Sequence, residues 1–156
     1  MPKTVPCLWF DNQAEEAAKL YTSVFPNSRI VEIARYGSAG LRPEGTVMTV
    51  SFELDGMPFL ALNGGPEYTF TEAVSFQVDC ADQAEVDDYW ERLSEGGEEG
   101  PCGWLKDRFG LSWQIVPSVL PELLSQPDAE KAQRVMAAML QMRKIEIAEL
   151  ERAAGP

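Results

Sequence analysis

Residues 12–21 read NQAEEAAKLY, and residues 82–91 read DQAEVDDYWE. Each begins with a short polar residue suited to a helix N-cap, and each has a glutamate three positions later, placed for a capping box. Two helices can start alike simply because such residues cap well. A duplication needs the same order of elements around both starts.

The flanking segments supply that order. TVPCLWF (4–10) has the content of a short buried strand, and Asp11 or Asn12 then caps a helix whose Ala14, Ala17, Ala18, Tyr21 and Phe25 share one face. FPNS (25–28) ends it. SRIVEIARY (28–36) and TVMTVSFEL (46–54) are rich in β-branched residues, and LDGMPFLALN (54–63) continues through an Asp55-Gly56 turn into a further strand. The second half opens with the strand AVSFQVDC (73–80), followed by a helix capped by Asp82 with Val86, Tyr89, Trp90 and Leu93 on one face. GGEEG (96–100) stops that helix, and short strands follow at GWLKDR (103–108) and LSWQIVP (111–117), joined by a turn at Phe109-Gly110.

Both halves therefore predict strand, helix and three strands. Asn12 matches Asp82 at an offset of 82 − 12 = 70, and Gly56 matches Gly110 at 110 − 56 = 54. The second copy is thus 70 − 54 = 16 residues shorter between its helix and its last strand, so its middle strands should be stubby.

Composition narrows the chemistry. The 156 residues are one ordinary domain's worth of chain, with 45% hydrophobic and 24% charged residues, as in a globular protein. Twenty-five acidic against thirteen basic side chains leave a charge of −12, which disfavours nucleic acid and anionic lipid surfaces as partners. MPKTVPCLWF (1–10) lacks a signal-peptide apolar run, and no segment approaches the roughly 20 apolar residues of a membrane span, so a cytoplasmic location is expected. Cys7, Cys80 and Cys102 form no C-x-x-C pair and read as free thiols. The absence of histidine removes imidazole-activated serine or cysteine nucleophiles and the commonest transition-metal ligand.

PCLWFDNQAEEAAKLYTSVFPNSRI (6–30), FELDGMPFLALNGGPEYTF (52–70), AVSFQVDCADQAEVDDYW (73–90) and CGWLKDRFGLSWQIVP (102–117) resemble the PhnB-like branch of the vicinal oxygen chelate superfamily. That branch is often labelled 3-demethylubiquinone-9 3-methyltransferase. The resemblance implies an α+β fold of paired βαβββ modules, like glyoxalase, bleomycin-resistance proteins and dioxygenases. We expect a single domain, 1–156, with module one at 1–64, module two at 70–117 and a C-terminal helical extension at 118–156. The methyltransferase activity is not carried over, because neither strand-to-helix turn holds the glycines over which a nucleotide-type cofactor usually binds. NGG (63–65) and EGGEEG (95–100) read as ordinary turns.

In metal-dependent relatives four ligands come from the first and last strands of the two modules. Those positions fall here on Val5 or Pro6, on Ser75 or Phe76, on Leu60 or at most one residue either side of it, and on Gln114. Gln114 alone is a plausible ligand, so no metal and no cofactor are expected.

The resemblance places the binding cavity between the modules. Strand alternation then puts Ser75, Gln77 and Asp79 toward it, with Ser112 and Gln114 beside them, and the repeat puts Val5, Cys7 and Trp9 opposite. Asp79 is the candidate general base if burial raises its pKa, and otherwise a solvated strand-end carboxylate. Cys7 is a candidate thiol or a small apolar filler. Asn63 and Glu67, in the link between modules, are candidate ligand contacts or plain loop residues. Asp107 and Arg108 suggest a structural ion pair beside the hairpin. Past Pro117, a helix is expected from about Pro127, with Val135, Met136, Met139 and Leu140 as its apolar stripe.

Three functions compete on these residues. The first is a metal-independent protein binding a small organic ligand, neutral or weakly cationic. The second is an isomerase or lyase using Asp79. The third is a dimeric interaction module without catalysis. A homodimer is expected in each case, because half-barrel sheets leave edges that need covering.

Overall fold

In the computed structural model, which describes residues 2–156, the chain divides into two units between Phe70 and Thr71. The first contains β1 (Cys7–Phe10), α1 (Ala14–Val24), β2 (Arg29–Arg35), β3 (Val47–Leu54) and β4 (Met57–Asn63). Its sheet runs β1-β4-β3-β2, with β1 parallel to β4 and the other pairs antiparallel. Alternation sends Leu8, Phe10, Val50, Phe52, Phe59 and Ala61 to one buried face. The alanine-rich side of α1, at Ala14, Ala17 and Ala18, lets the helix sit close to the sheet. Tyr21 and Phe52 are buried there, and Phe52 stacks on Phe59 with ring centroids 5.4 Å apart.

The start of α1 departs from expectation. Neither Asp11 nor Asn12 is its N-cap; Gln13 holds that position without a side-chain capping bond. The orphan N–H of Ala14 instead donates to Asn63 Oδ1, 2.8 Å away on β4. A distant side chain does the work that local sequence appeared to assign to its neighbours.

The second unit contains β5 (Ser75–Cys80), α2 (Gln83–Ser94), β6 (Glu98–Glu99), β7 (Trp104–Lys106) and β8 (Ser112–Pro117), in sheet order β5-β8-β7-β6. β5 is parallel to β8, as β1 is to β4. Adding the offsets of 70 and 54 to the pair Cys7–Leu60 yields Gln77–Gln114, and both pairs are in register. Gly56 and Gly110 occupy matching turns at φ +80° and +88°, a region costly for other residues. Most of the missing residues fall on β6 and β7, which are two and three residues long against seven and eight for β2 and β3. α2 starts as its sequence predicts: Asp82 Oδ1 accepts from Glu85 N at 2.9 Å. Its buried Val86, Trp90 and Leu93 face the sheet.

α3 (Val119–Leu124), α4 (Ala129–Met139) and α5 (Ile147–Ala154) complete this unit. α4 begins later than expected, since Asp128 is its cap and accepts from Glu130 N and Lys131 N, leaving Pro127 outside. Leu140 is exposed and leaves the stripe. Leu120, Val135, Ile145, Leu150 and Ala154 form a core with Val116 of β8. Gln83 joins this layer to α2: its amide nitrogen donates to Ile145 O at 3.0 Å, and its oxygen accepts from Ile147 N at 2.7 Å. Cys102 N and Gly103 N donate to Met142 O and Arg143 O, both at 2.8 Å. Gly103 is required at this approach, because a Cβ would lie 3.0 Å from Ile115 O and 3.1 Å from Ile145. No helix among the described residues is long and apolar enough to cross a membrane.

Candidate functional site

The second sheet has one face under α2 and an opposite face that the C-terminal helices cover at Val116 and leave open toward Gln77 and Asp79. Phe76, Val78 and Cys80 on β5 lie on the first, with Leu105, Trp113 and Ile115 of the neighbouring strands in the same rows. The opposite face carries Ser75, Gln77 and Asp79 of β5, Ser112 and Gln114 of β8, and Trp104 and Lys106 of β7. Register sorts them into two rows, Lys106–Ser112–Ser75 and Trp104–Gln114–Gln77. Five of the residues expected to bind or act on a ligand are thereby gathered on one surface.

Their hydrogen bonds are unequal. Gln114 Nε2 donates to Ser75 Oγ at 2.9 Å, fixing the half-buried amide. Gln77 Nε2 donates to Asp79 Oδ1 at 3.3 Å, and both residues are exposed. Asp79 is therefore not in the buried setting on which its role as a general base depended. Ser112 is 1% exposed, and among the described residues its hydroxyl has no hydrogen-bond partner. Buried polar groups are nearly always paired, and this hydroxyl is an exception on the face.

Ser112 lines a cleft of about 220 Å³ with Glu72, Glu98, Pro101, Trp104 and Lys106. Lys106 Nζ lies 2.7 Å from Glu72 Oε1. The bond from Lys106 and its charge hold the Glu72 carboxyl below the ordinary range, and the same bond raises the lysine. A second recess of about 380 Å³ shares Glu72, Pro101 and Trp104 and adds Cys102, so the indole stands between two hollows. Trp104 and Lys106 escaped the sequence reading because they sit on a three-residue strand, and Glu72 because it precedes β5. The local signal that could have found them is alternation: Trp104 and Lys106 flank the buried Leu105.

The expected contacts in the first unit are differently engaged. Asn63 is buried on the helix side of its sheet, where its oxygen caps α1 and its nitrogen donates to Val47 O at 3.1 Å. Cys7 is exposed at the start of β1, and partial burial of the thiol still raises its pKa. Trp9 Nε1 donates to Gly65 O at 2.9 Å, and the Tyr68 ring meets its own edge-on at 4.9 Å. A Cβ on Gly64 would fall 2.4 Å from the Trp9 ring, so the link packs directly on the indole. Glu67 is exposed in that link. Asp107, near Arg108, is buried and accepts from Phe109 N, Leu111 N and Trp113 Nε1. It holds the hairpin by these bonds.

The family described as 3-demethylubiquinone-9 3-methyltransferase matches residues 2–116. The chain belongs to this family. Among solved structures it is similar to the PhnB protein of Bacillus cereus, at 35% identity and a TM-score of 0.68, over 75% of this chain and all of that one. It is also similar to protein PA1353 from Pseudomonas aeruginosa, at 19% identity and a TM-score of 0.63, covering 75% and 98% of the two chains. The fosfomycin resistance protein FosX of Mesorhizobium loti shares the fold at 16% identity and a TM-score of 0.56, over 81% of this chain and all of that one. No curated protein matches. The likeness to PhnB places the chain in the vicinal oxygen chelate superfamily, and FosX shares its βαβββ fold.

A divalent metal of the superfamily type does not fit the side chains present. Leu60 and Val5 or Pro6 offer no side-chain donor, and the Ser75 hydroxyl is engaged by Gln114. Among the described residues no three of His, Cys, Asp or Glu gather into a metal-holding group.

Proposed function

We propose that this PhnB-like protein binds a small organic molecule, without a metal, on the face of its second sheet opposite α2. The observation that carries this reading is the buried hydroxyl of Ser112 in the cleft beside Trp104, which has no partner among the described residues. A binding surface needs an apolar platform for affinity and a few fixed polar groups for direction. Trp104 supplies the platform, and the Gln114–Ser75 pair and Ser112 supply the direction. Gln77 and Asp79 extend the polar row along β5. Binding is favoured over catalysis because Asp79, the one acid among the predicted contacts on this face, is solvent-exposed and lies outside the cleft lining. We further propose a homodimer, since each sheet has open edges.

A thermal-shift screen of amines, alcohols, acids and small aromatic compounds tests the reading, because a ligand that binds only the folded state raises its melting temperature. At least one compound should shift the wild type, and the shift should disappear in Trp104→Ala and shrink in Gln114→Leu. A wild type that no compound shifts, or shifts that survive both substitutions, would overturn it.

A further inference from the structure

The cleft beside Ser112 has a definite charge pattern. Three glutamates line it, Glu72, Glu98 and Glu99. Register puts Glu98 in the row of Lys106, the one lining cation among the described residues, and Glu99 in the row of Leu105, and the Lys106 ammonium is already held 2.7 Å from Glu72. Lys106 stands directly opposite Ser112 on β8 and opposite Glu98 on β6, so the lysine crosses the cleft between Glu72 and Glu98. Three carboxylates against one ammonium leave the cleft net negative, within a chain of charge −12. The Trp104 indole forms an adjoining wall, and an aromatic face attracts a cation as well as apolar carbon. Among the described residues, no group uses the lone pairs of Ser112 Oγ.

We propose that this cleft takes a primary organic ammonium whose charged group replaces that of Lys106 on Glu72, gives an N–H to Ser112 Oγ, and lays its hydrocarbon along Trp104. The inference rests on the binding reading above and names its ligand class. Lys106 is the internal stand-in for that ligand on Glu72 only: an ammonium on a flexible four-carbon stem that makes the Glu72 bond and leaves the Ser112 one unmade. Displacing it into solvent costs little, since the pair is largely exposed, and frees the position paired with Ser112 across the strands. At about 220 Å³ the cleft is smaller than typical drug-sized pockets, which suits a compact amine.

Isothermal titration with three probes of similar shape tests the class: 2-phenylethylammonium, 2-phenylethanol and 3-phenylpropionate, at low salt and near-neutral pH. The ammonium should bind at least about tenfold more tightly than the other two. Glu72→Gln and Ser112→Ala should each weaken it about tenfold. Ser112→Ala should also raise the melting temperature of the free protein, because it deletes an unpaired buried hydroxyl; a merely structural serine would not separate binding from stability in this direction. Lys106→Met gives the sharpest sign. It removes the internal competitor, so the ammonium should bind more tightly, whereas an anion-binding cleft would lose its ligand. Tighter binding of the carboxylate, abolished by Lys106→Met, overturns the ammonium assignment while leaving the binding reading intact. Equal binding of the alcohol and the ammonium does the same. Absence of heat with all three probes, while the thermal-shift screen finds ligands of another class, also removes this inference and spares the broader one.

Discussion

Replacing Asn63 by leucine separates two roles for one residue, ligand contact and structural clasp. The side chain is 5% exposed and makes two bonds, accepting from Ala14 N at 2.8 Å and donating to Val47 O at 3.1 Å. Leucine keeps approximate volume but strands one backbone donor at the start of α1 and one acceptor on β3. Each stranded buried group costs about 1–3 kcal/mol, and the added apolar burial offsets a part, so the expected loss is about 2–4 kcal/mol. For a chain of this size that lowers Tm by about 5–15 °C. Tyr36→Phe is the graded control, because it deletes only the hydroxyl that donates to Asn63 O, and should cost about 0.5–1.5 kcal/mol. Urea unfolding followed by far-UV circular dichroism measures both. An Asn63→Leu protein as stable as wild type, with ligand binding impaired, would refute the structural account and return Asn63 to the binding surface.

Gln83→Leu should cost about 1–3 kcal/mol and lower hydrogen-exchange protection most in α5, since it strands Ile145 O and Ile147 N together. Lys144 Nζ sits 2.8 Å from Asp87 Oδ1; bonds from Lys144 and then Gln83 hold the Asp87 carboxyl low, and the Asp87 bond raises the lysine. A lowered acid stabilises the fold above its ordinary value near 3.9 and loses that as pH falls through the depressed value, while a raised lysine loses its share only above about 10.4. An Asp87→Asn/Lys144→Met double-mutant cycle should therefore show a coupling of up to about 1 kcal/mol at neutral pH, vanishing in strong acid and in high salt. Cys80 is buried, and burial followed by the charges of Glu85, Asp79 and Asp82 pushes its thiol up to about 12. A disulfide reagent at mildly alkaline pH should leave Cys80 unmodified in the folded protein and label it after unfolding, as peptide mapping would show.

Much of the fold was legible because it was written twice. The offsets of 70 and 54 between like segments carry directly into strand register, and the shortened copy is visible as the stubby β6 and β7. The cap of α2 was also readable, since Asp82 and Glu85 are local partners. That of α1 was not, because its acceptor, Asn63, lies 49 positions from Ala14 and only sheet pairing brings it near. α5 was not singled out within the C-terminal helices, since what seats it is tertiary: the Gln83 amide and the core around Val116. The candidate site divides in the same way. Alternation along β5 and β8 placed Ser75, Gln77, Asp79, Ser112 and Gln114 on one face. The cleft wall escaped because Glu72, Glu98, Trp104 and Lys106 come from three separate segments, and no pattern announces a hydroxyl left unpaired by packing.

The most direct test of metal-free binding on the second sheet is a ¹H–¹⁵N titration of chelator-treated protein with the best compound from the thermal-shift screen. The account predicts saturable shifts of the Trp104 indole N–H, the Gln114 side-chain amide and the Ser112 backbone amide, unchanged when zinc or manganese is added. Shifts confined to residues 2–70, or binding that appears only after metal is supplied, would contradict it.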